Sequence, residues 1–131
     1  MPTKMLLLSF KGCKSDKTYT IPLSYTCDDS VVICFTHRSR RWWKNLRGGV
    51  LTTLNIEGRC WQAIAEAVAD DQAAIERELY TFLCKSPYNA KYMGVQLDDD
   101  DRPSRVDVAR SATACVLVRI QLASQCKTAE C

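Results

Sequence analysis

The chain has 131 residues, 47% hydrophobic and 25% charged, a size and balance that suit one globular domain and leave too little length for two. No run approaches the roughly 20 apolar residues of a membrane span, so the reading excludes membrane insertion. The net charge of +3 hides an asymmetry: residues 1–49 carry nine Lys/Arg against three Asp/Glu and residues 50–131 carry nine against twelve, which places the anion-attracting surface in the first part of the chain.

The opening apolar run is only Leu6–Leu8, too short for a signal-peptide core, and the expectation is a cytoplasmic protein. Lys4 to Lys11 reads as a first strand. Gly12-Cys13-Lys14-Ser15-Asp16-Lys17 then supplies turn residues together with two lysines and a hydroxyl. From Thr18 to Thr26 the residues alternate, with Tyr19, Ile21, Leu23 and Tyr25 on one face, the period of a half-buried strand. Pro22 cannot donate to a ladder, so this strand belongs at an edge or carries a bulge. Cys27 to Ser30 is a hairpin turn, and Val31 to Thr36, apolar on both faces, is expected to be a central strand.

Phe35 to Gly49 holds five cations (Arg38, Arg40, Arg41, Lys44, Arg47), no acid, and the chain's one histidine, His37. Cations at the join of a strand and a helical turn make an anion site, because guanidinium groups and free amides can act on the same oxygens. The alternative is a basic, solvated surface turn with one tryptophan plugging the core. Arg41 to Leu46 is long enough for one or two helical turns, and Gly48-Gly49 stops them.

Val50 to Ile56 alternates as a strand and turns at Glu57-Gly58. Arg59 to Ala69 stays open: Trp61, Ile64, Ala65 and Val68 match a helix face, whereas the tight turn before them favours a hairpin partner. Asp70-Asp71 starts the clearest helix, with Ile75, Leu79, Phe82 and Leu83 at helical spacing through Cys84. After Ser86-Pro87, Tyr88 to Leu97 can form a short helix with Tyr88 and Tyr92 on one side, lining a pocket or packing in the core. Asp98 to Asp101 is a solvated loop, Pro103 to Ala114 a last helix, Val116 to Leu122 a closing strand, and the rest a polar tail. Eight cysteines without a Cys-x-x-Cys pair, beside one histidine, argue against zinc. Several, such as Cys34, serve as small hydrophobes; Cys126 and Cys131 are thiols on the tail. The sum is an α+β protein: a six-stranded, mostly antiparallel split barrel with short helices over residues 1–123 and a tail over 124–131.

Gly12-Cys13-Lys14-Ser15-Asp16-Lys17, Ile21-Pro22-Leu23 and Trp42-Trp43-Lys44-Asn45-Leu46, in that order, resemble the deazaflavin-dependent oxidoreductases, also called deazaflavin-dependent nitroreductases, of the FMN-binding split-barrel superfamily. The resemblance implies a strand at Arg59 to Val68 and a deazaflavin (coenzyme F420) or FMN lying across the barrel. It assigns phosphate contacts to Lys14, Ser15 and Lys17, and cofactor contacts to His37, Arg38, Ser39 and Arg40. Trp43 and Asn45 hold the short helix, and Tyr88 and Tyr92 face the substrate. Cys13 stands where the family usually has arginine and Asp16 where glycine is usual, with Arg38, Arg40 and Arg41 as compensating cations.

No Ser/His/Asp arrangement or metal cluster can be assembled around one histidine, so the chemistry is expected from the cofactor. The implied reaction is hydride transfer from the reduced cofactor to an electron-poor small molecule such as a quinone, enone or nitro compound, with His37 as proton donor. The competing reading is a carrier of flavin, tetrapyrrole or lipid-like ligands without turnover. The resemblance also implies a homodimer. Nucleic-acid binding is disfavoured because the cationic segment is short.

Overall fold

The computed structural model describes residues 5–12, 17–28 and 30–125. Seven strands, β1 (Met5–Lys11), β2 (Thr18–Ser24), β3 (Thr26–Asp28), β4 (Val31–His37), β5 (Val50–Ile56), β6 (Arg59–Val68) and β7 (Cys115–Gln125), form one sheet in the order β2-β1-β5-β6-β7-β4-β3. Every pairing is antiparallel. Although four strands separate them in that order, β2 packs against β4. The sheet therefore curls into a half-barrel, and the class is α+β.

The alternation along each strand decides what the curl encloses. Leu6, Leu8 and Phe10 of β1 face inward with Leu54, Ala63, Val118 and Ile120. Ile33 and Leu117 face the opposite way, against Ile75, Leu79 and Leu83 of α1 (Gln72–Lys85) and Val108 of α2 (Arg105–Ala112). Each fully buried leucine contributes on the order of 1.5–3 kcal/mol. Helix α1 begins where the Asp71 carboxylate accepts from the Ala74 amide at 3.1 Å, and α2 where Ser104 Oγ accepts from Asp107 N at 3.4 Å, the cap chemistry that Asp and Ser supply.

Pro22 lies on β2, an edge strand, where its missing N–H costs no ladder bond. The turn at Glu57-Gly58 takes positive φ at both residues, 53° and 80°, as a two-residue hairpin requires. Arg59–Val68 is a strand, its inner face built from Trp61, Ala63, Ala65 and Ala67.

The structure corrects several expectations. The strand count is seven, not six, because the stretch read as one strand from Thr18 to Thr26 breaks at buried Tyr25 into β2 and β3. Strand β4 is not central along its whole length. Its partner β3 covers only Val31–Ile33, so residues 34–37 border an opening. Tyr88 to Leu97 is not one helix but two 3-10 turns, Pro87–Asn89 and Lys91–Met93, closed by Gly94 at φ 70°. Strand β7 continues to Gln125, past the expected start of a loose tail. Cys60 is disulfide-bonded, whereas Cys34, Cys84 and Cys115 carry free thiols. None of the described helices is long and apolar enough to cross a membrane.

Candidate functional site

Where β3 leaves β4 uncovered, a cleft of about 480 Å³ opens between β2 and the end of β4, within the usual range of small-molecule sites. Pro22 and Leu23 line the β2 side, Phe35 and His37 the β4 side, and Phe82 and Met93 the helical side. Phe35 and Phe82 meet edge to face, with ring centroids 5.2 Å apart at 76°, and so hold the cleft's apolar wall in place.

His37 sits at the last register position of β4, opposite Cys115 of β7, and both line the cleft. The imidazole is exposed whereas the thiol is buried. Burial pushes the Cys115 thiol up, opposed by the Ser111 hydroxyl 3.9 Å away and by the charge of Arg38. Cys115 therefore stays protonated at neutral pH, poorly suited to act as a nucleophile.

The basic loop is tied down by its own residues. Arg38 Nη2 donates to the Ala69 carbonyl at 2.6 Å and to the Cys115 carbonyl at 3.4 Å, clamping the end of β6 to the start of β7. The Trp43 indole donates to the Arg38 carbonyl at 3.3 Å. That ring is buried against Ala69 and Val116, with Lys44 Nζ 5.9 Å and Arg47 Cζ 5.1 Å from its centroid. Asn45 Nδ2 donates to the Trp42 carbonyl at 3.0 Å, within the 3-10 helix Trp42–Leu46. Trp43 and Asn45 thus brace the loop from inside, while Ser39, Arg40 and Arg41 are exposed.

Of the β1–β2 turn, Lys14 and Ser15 lie outside the described residues, as do Cys13 and Asp16. Lys17 is exposed, and its carbonyl accepts from Gly12 N at 2.8 Å, closing the base of the turn. Phe10, stacked on Tyr19 at 5.8 Å, also lies 5.9 Å from Trp42. That contact brings the turn end of the hairpin and the start of the 3-10 helix to one end of the barrel. In the sequence Lys17 precedes Tyr19 by two residues and Arg41 adjoins Trp42.

The two tyrosines part company. Tyr92 lines the cleft and is 85% exposed, whereas Tyr88 borders a separate depression with Pro87 and Leu97. The break between the two 3-10 turns rotates one away from the other. Beside Tyr92 the structure brings Asn89 to the lining of the cleft, buried to 9% exposure. A polar residue between two tyrosines carries no periodic signal.

No protein-family model matches the chain, and no curated protein matches it. Solved structures do. An F420 reductase aligns with TM-score 0.53 at 13% identity over 96% of this chain and 91% of its own. A FAD-binding protein from Mesorhizobium loti aligns with TM-score 0.59 at 12% identity over 93% and 83%. A FAD- and heme-binding protein from Mycobacterium smegmatis aligns with TM-score 0.58 at 9% identity over 96% and 67%. At such identities the likeness concerns the fold, and the half-barrel is a split-barrel fold of the kind these proteins share.

Proposed function

We propose that the chain binds a deazaflavin (coenzyme F420) or FMN in the β2/β4 cleft and passes a hydride from the reduced cofactor to an electron-poor small molecule such as a quinone, enone or nitro compound. The observation that carries this reading is the cleft itself, an opening with largely apolar walls at the seam of a half-barrel and an exposed imidazole at its rim. An F420 reductase and FAD-binding proteins among the structural neighbours support it.

The residues fit such a group. The wall of Phe35, Phe82 and Met93 suits a planar ring, and Lys17 and Arg40, exposed and outside the cleft lining, are the cations proposed to hold its phosphate. Lys14 and Ser15, the further phosphate contacts of this reading, lie outside the described residues. Arg38 acts through the loop, since one of its amino groups is held by backbone carbonyls. When bound, the cofactor supplies the hydride. The apolar wall keeps water from the reacting face, His37 delivers the proton that the reduced acceptor needs, and Tyr92 covers the acceptor from the open side. Two copies pairing as a homodimer and a cytoplasmic location accompany this reading.

Titration of the purified protein with FMN and with coenzyme F420, followed by absorbance, tests binding; addition of menadione to the reduced complex tests turnover. One cofactor is expected to bind stoichiometrically and to be reoxidised faster than free in solution, with His37→Ala slowing the step by roughly 10²-fold. Binding without reoxidation would convert the protein into a carrier. Steep salt-dependent binding of single-stranded nucleic acid in place of either cofactor would overturn both.

A further inference from the structure

Within that cofactor reading, we infer that Asn89 recognises the polar edge of the bound ring, and that this edge is a cyclic imide, a carbonyl, N–H and carbonyl in a row. Asn89 is buried to 9% exposure and lines the cleft, yet its carboxamide makes no hydrogen bond with any described residue. Among the described residues, no polar side-chain atom that is fully cut off from solvent lacks a partner. The oxygen and nitrogen of Asn89 therefore keep contact with solvent, and the cleft is the opening that this residue lines. An asparagine placed this way would be poor design in a structural wall, because a carboxamide offers two donors and an acceptor oxygen that nothing in the protein satisfies.

The backbone holds that carboxamide in place. Asn89 N donates to the Ser86 carbonyl at 3.0 Å and Ser86 N to the Phe82 carbonyl at 2.9 Å, which fastens the turn to the end of α1. Pro87 restricts the turn's first residue. Val95 N then donates to the Ala90 carbonyl at 2.9 Å and locks the following residues. The group is thus preorganised on a rigid segment, as recognition requires.

The other polar groups nearby are differently committed. Ser24 Oγ lies 3.2 Å from Met5 Sδ, the Cys115 thiol is engaged with Ser111, and His37 stands exposed at the rim. Thr36 and Tyr92 add hydroxyls to the lining, and Asn89 alone in it carries a carboxamide, with donor and acceptor on separate atoms. That pair matches an adjacent carbonyl and N–H, so a carboxamide against an imide closes two hydrogen bonds at once, with the ring lying on Phe35 and Phe82. Flavin and deazaflavin rings both carry such an edge. Asn89 therefore selects the ring class and does not choose between the two.

The test compares riboflavin with N3-methylriboflavin, which differ only at the imide N–H, by fluorescence titration of wild type and Asn89→Leu. Wild type is expected to bind riboflavin roughly tenfold more tightly than the methylated ring, and Asn89→Leu to bind the two alike. Equal affinity of wild type for both rings, with FMN still bound, would overturn the role of Asn89 and leave the cofactor reading standing. Failure of wild type to bind riboflavin, FMN or coenzyme F420 would overturn both. The comparison of ligands on wild type needs no variant, so it decides the matter even if Asn89→Leu does not fold.

Discussion

The two sides of the half-barrel are built on different terms. From β1 through β5 and β6 to β7 the ladders are long, β5 and β6 pairing from Val50↔Ala65 to Ile56↔Arg59, and the enclosed Leu8, Leu54, Val118 and Ile120 are almost wholly shielded from solvent. Between β2 and the end of β4 the strands pack without pairing, and a cleft takes the place of a ladder. The closed side holds the fold's stability, and the open side is where a ligand can enter without breaking a backbone hydrogen bond. A curled sheet with its ends left unjoined thus gains a binding slot at its seam.

Substitutions can sharpen this contrast. Ile120→Ala, in the closed wall, is expected to lower the unfolding free energy by about 2–5 kcal/mol in urea denaturation. Arg38→Ala should lose about 1.5–3 kcal/mol, since it deletes a charged donor to the Ala69 and Cys115 carbonyls at the top of the seam. Arg40→Ala, exposed on the same loop, should leave stability within about 0.5 kcal/mol while weakening FMN or coenzyme F420. Equal destabilisation by the two arginine variants would remove the distinction between brace and ligand.

A smaller effect is expected from pH. Burial raises the thiols of Cys34 and Cys115 above their ordinary value near 9, and also raises Tyr25. A group whose folded form holds its proton more tightly contributes stability that is complete below the unfolded value and lost as pH climbs toward the folded one. The protein should therefore weaken progressively above pH 9, and Cys34→Val should flatten that decline in denaturant midpoints measured from pH 8 to 11. Smallest of all, Tyr92→Ala should shift stability by less than about 0.5 kcal/mol, because the side chain is 85% exposed, and its effect should fall on the acceptor's KM.

Legibility followed local chemistry. Helix α1 was readable because Asp71 caps it and Ile75, Leu79, Phe82 and Leu83 recur at helical spacing. Strand β6 was not, because its inner face is alanine at 63, 65 and 67, residues that favour helix. Small side chains suit this place because β6 runs beneath the 3-10 helix Trp42–Leu46, with Ala67 against the cluster around Trp43. The resemblance implied the strand where periodicity left two answers. At the site, His37 and Tyr92 could be singled out in advance and both line the cleft. Tyr88 could not be separated from Tyr92, because only the break at Ala90 sends them apart.

By itself the sequence determined the alternation of most strands, the choice of an edge or a bulge for β2 through Pro22, the capped helix α1 and the basic character of the first part of the chain, all of them encoded within a few neighbouring residues. The tertiary structure decided that β3 stops short on β4, that Arg38 turns inward to carbonyls 31 and 77 residues away, and that Asn89 lines the opening. Those outcomes depend on which distant segments meet when the sheet curls, and no local pattern carries that information.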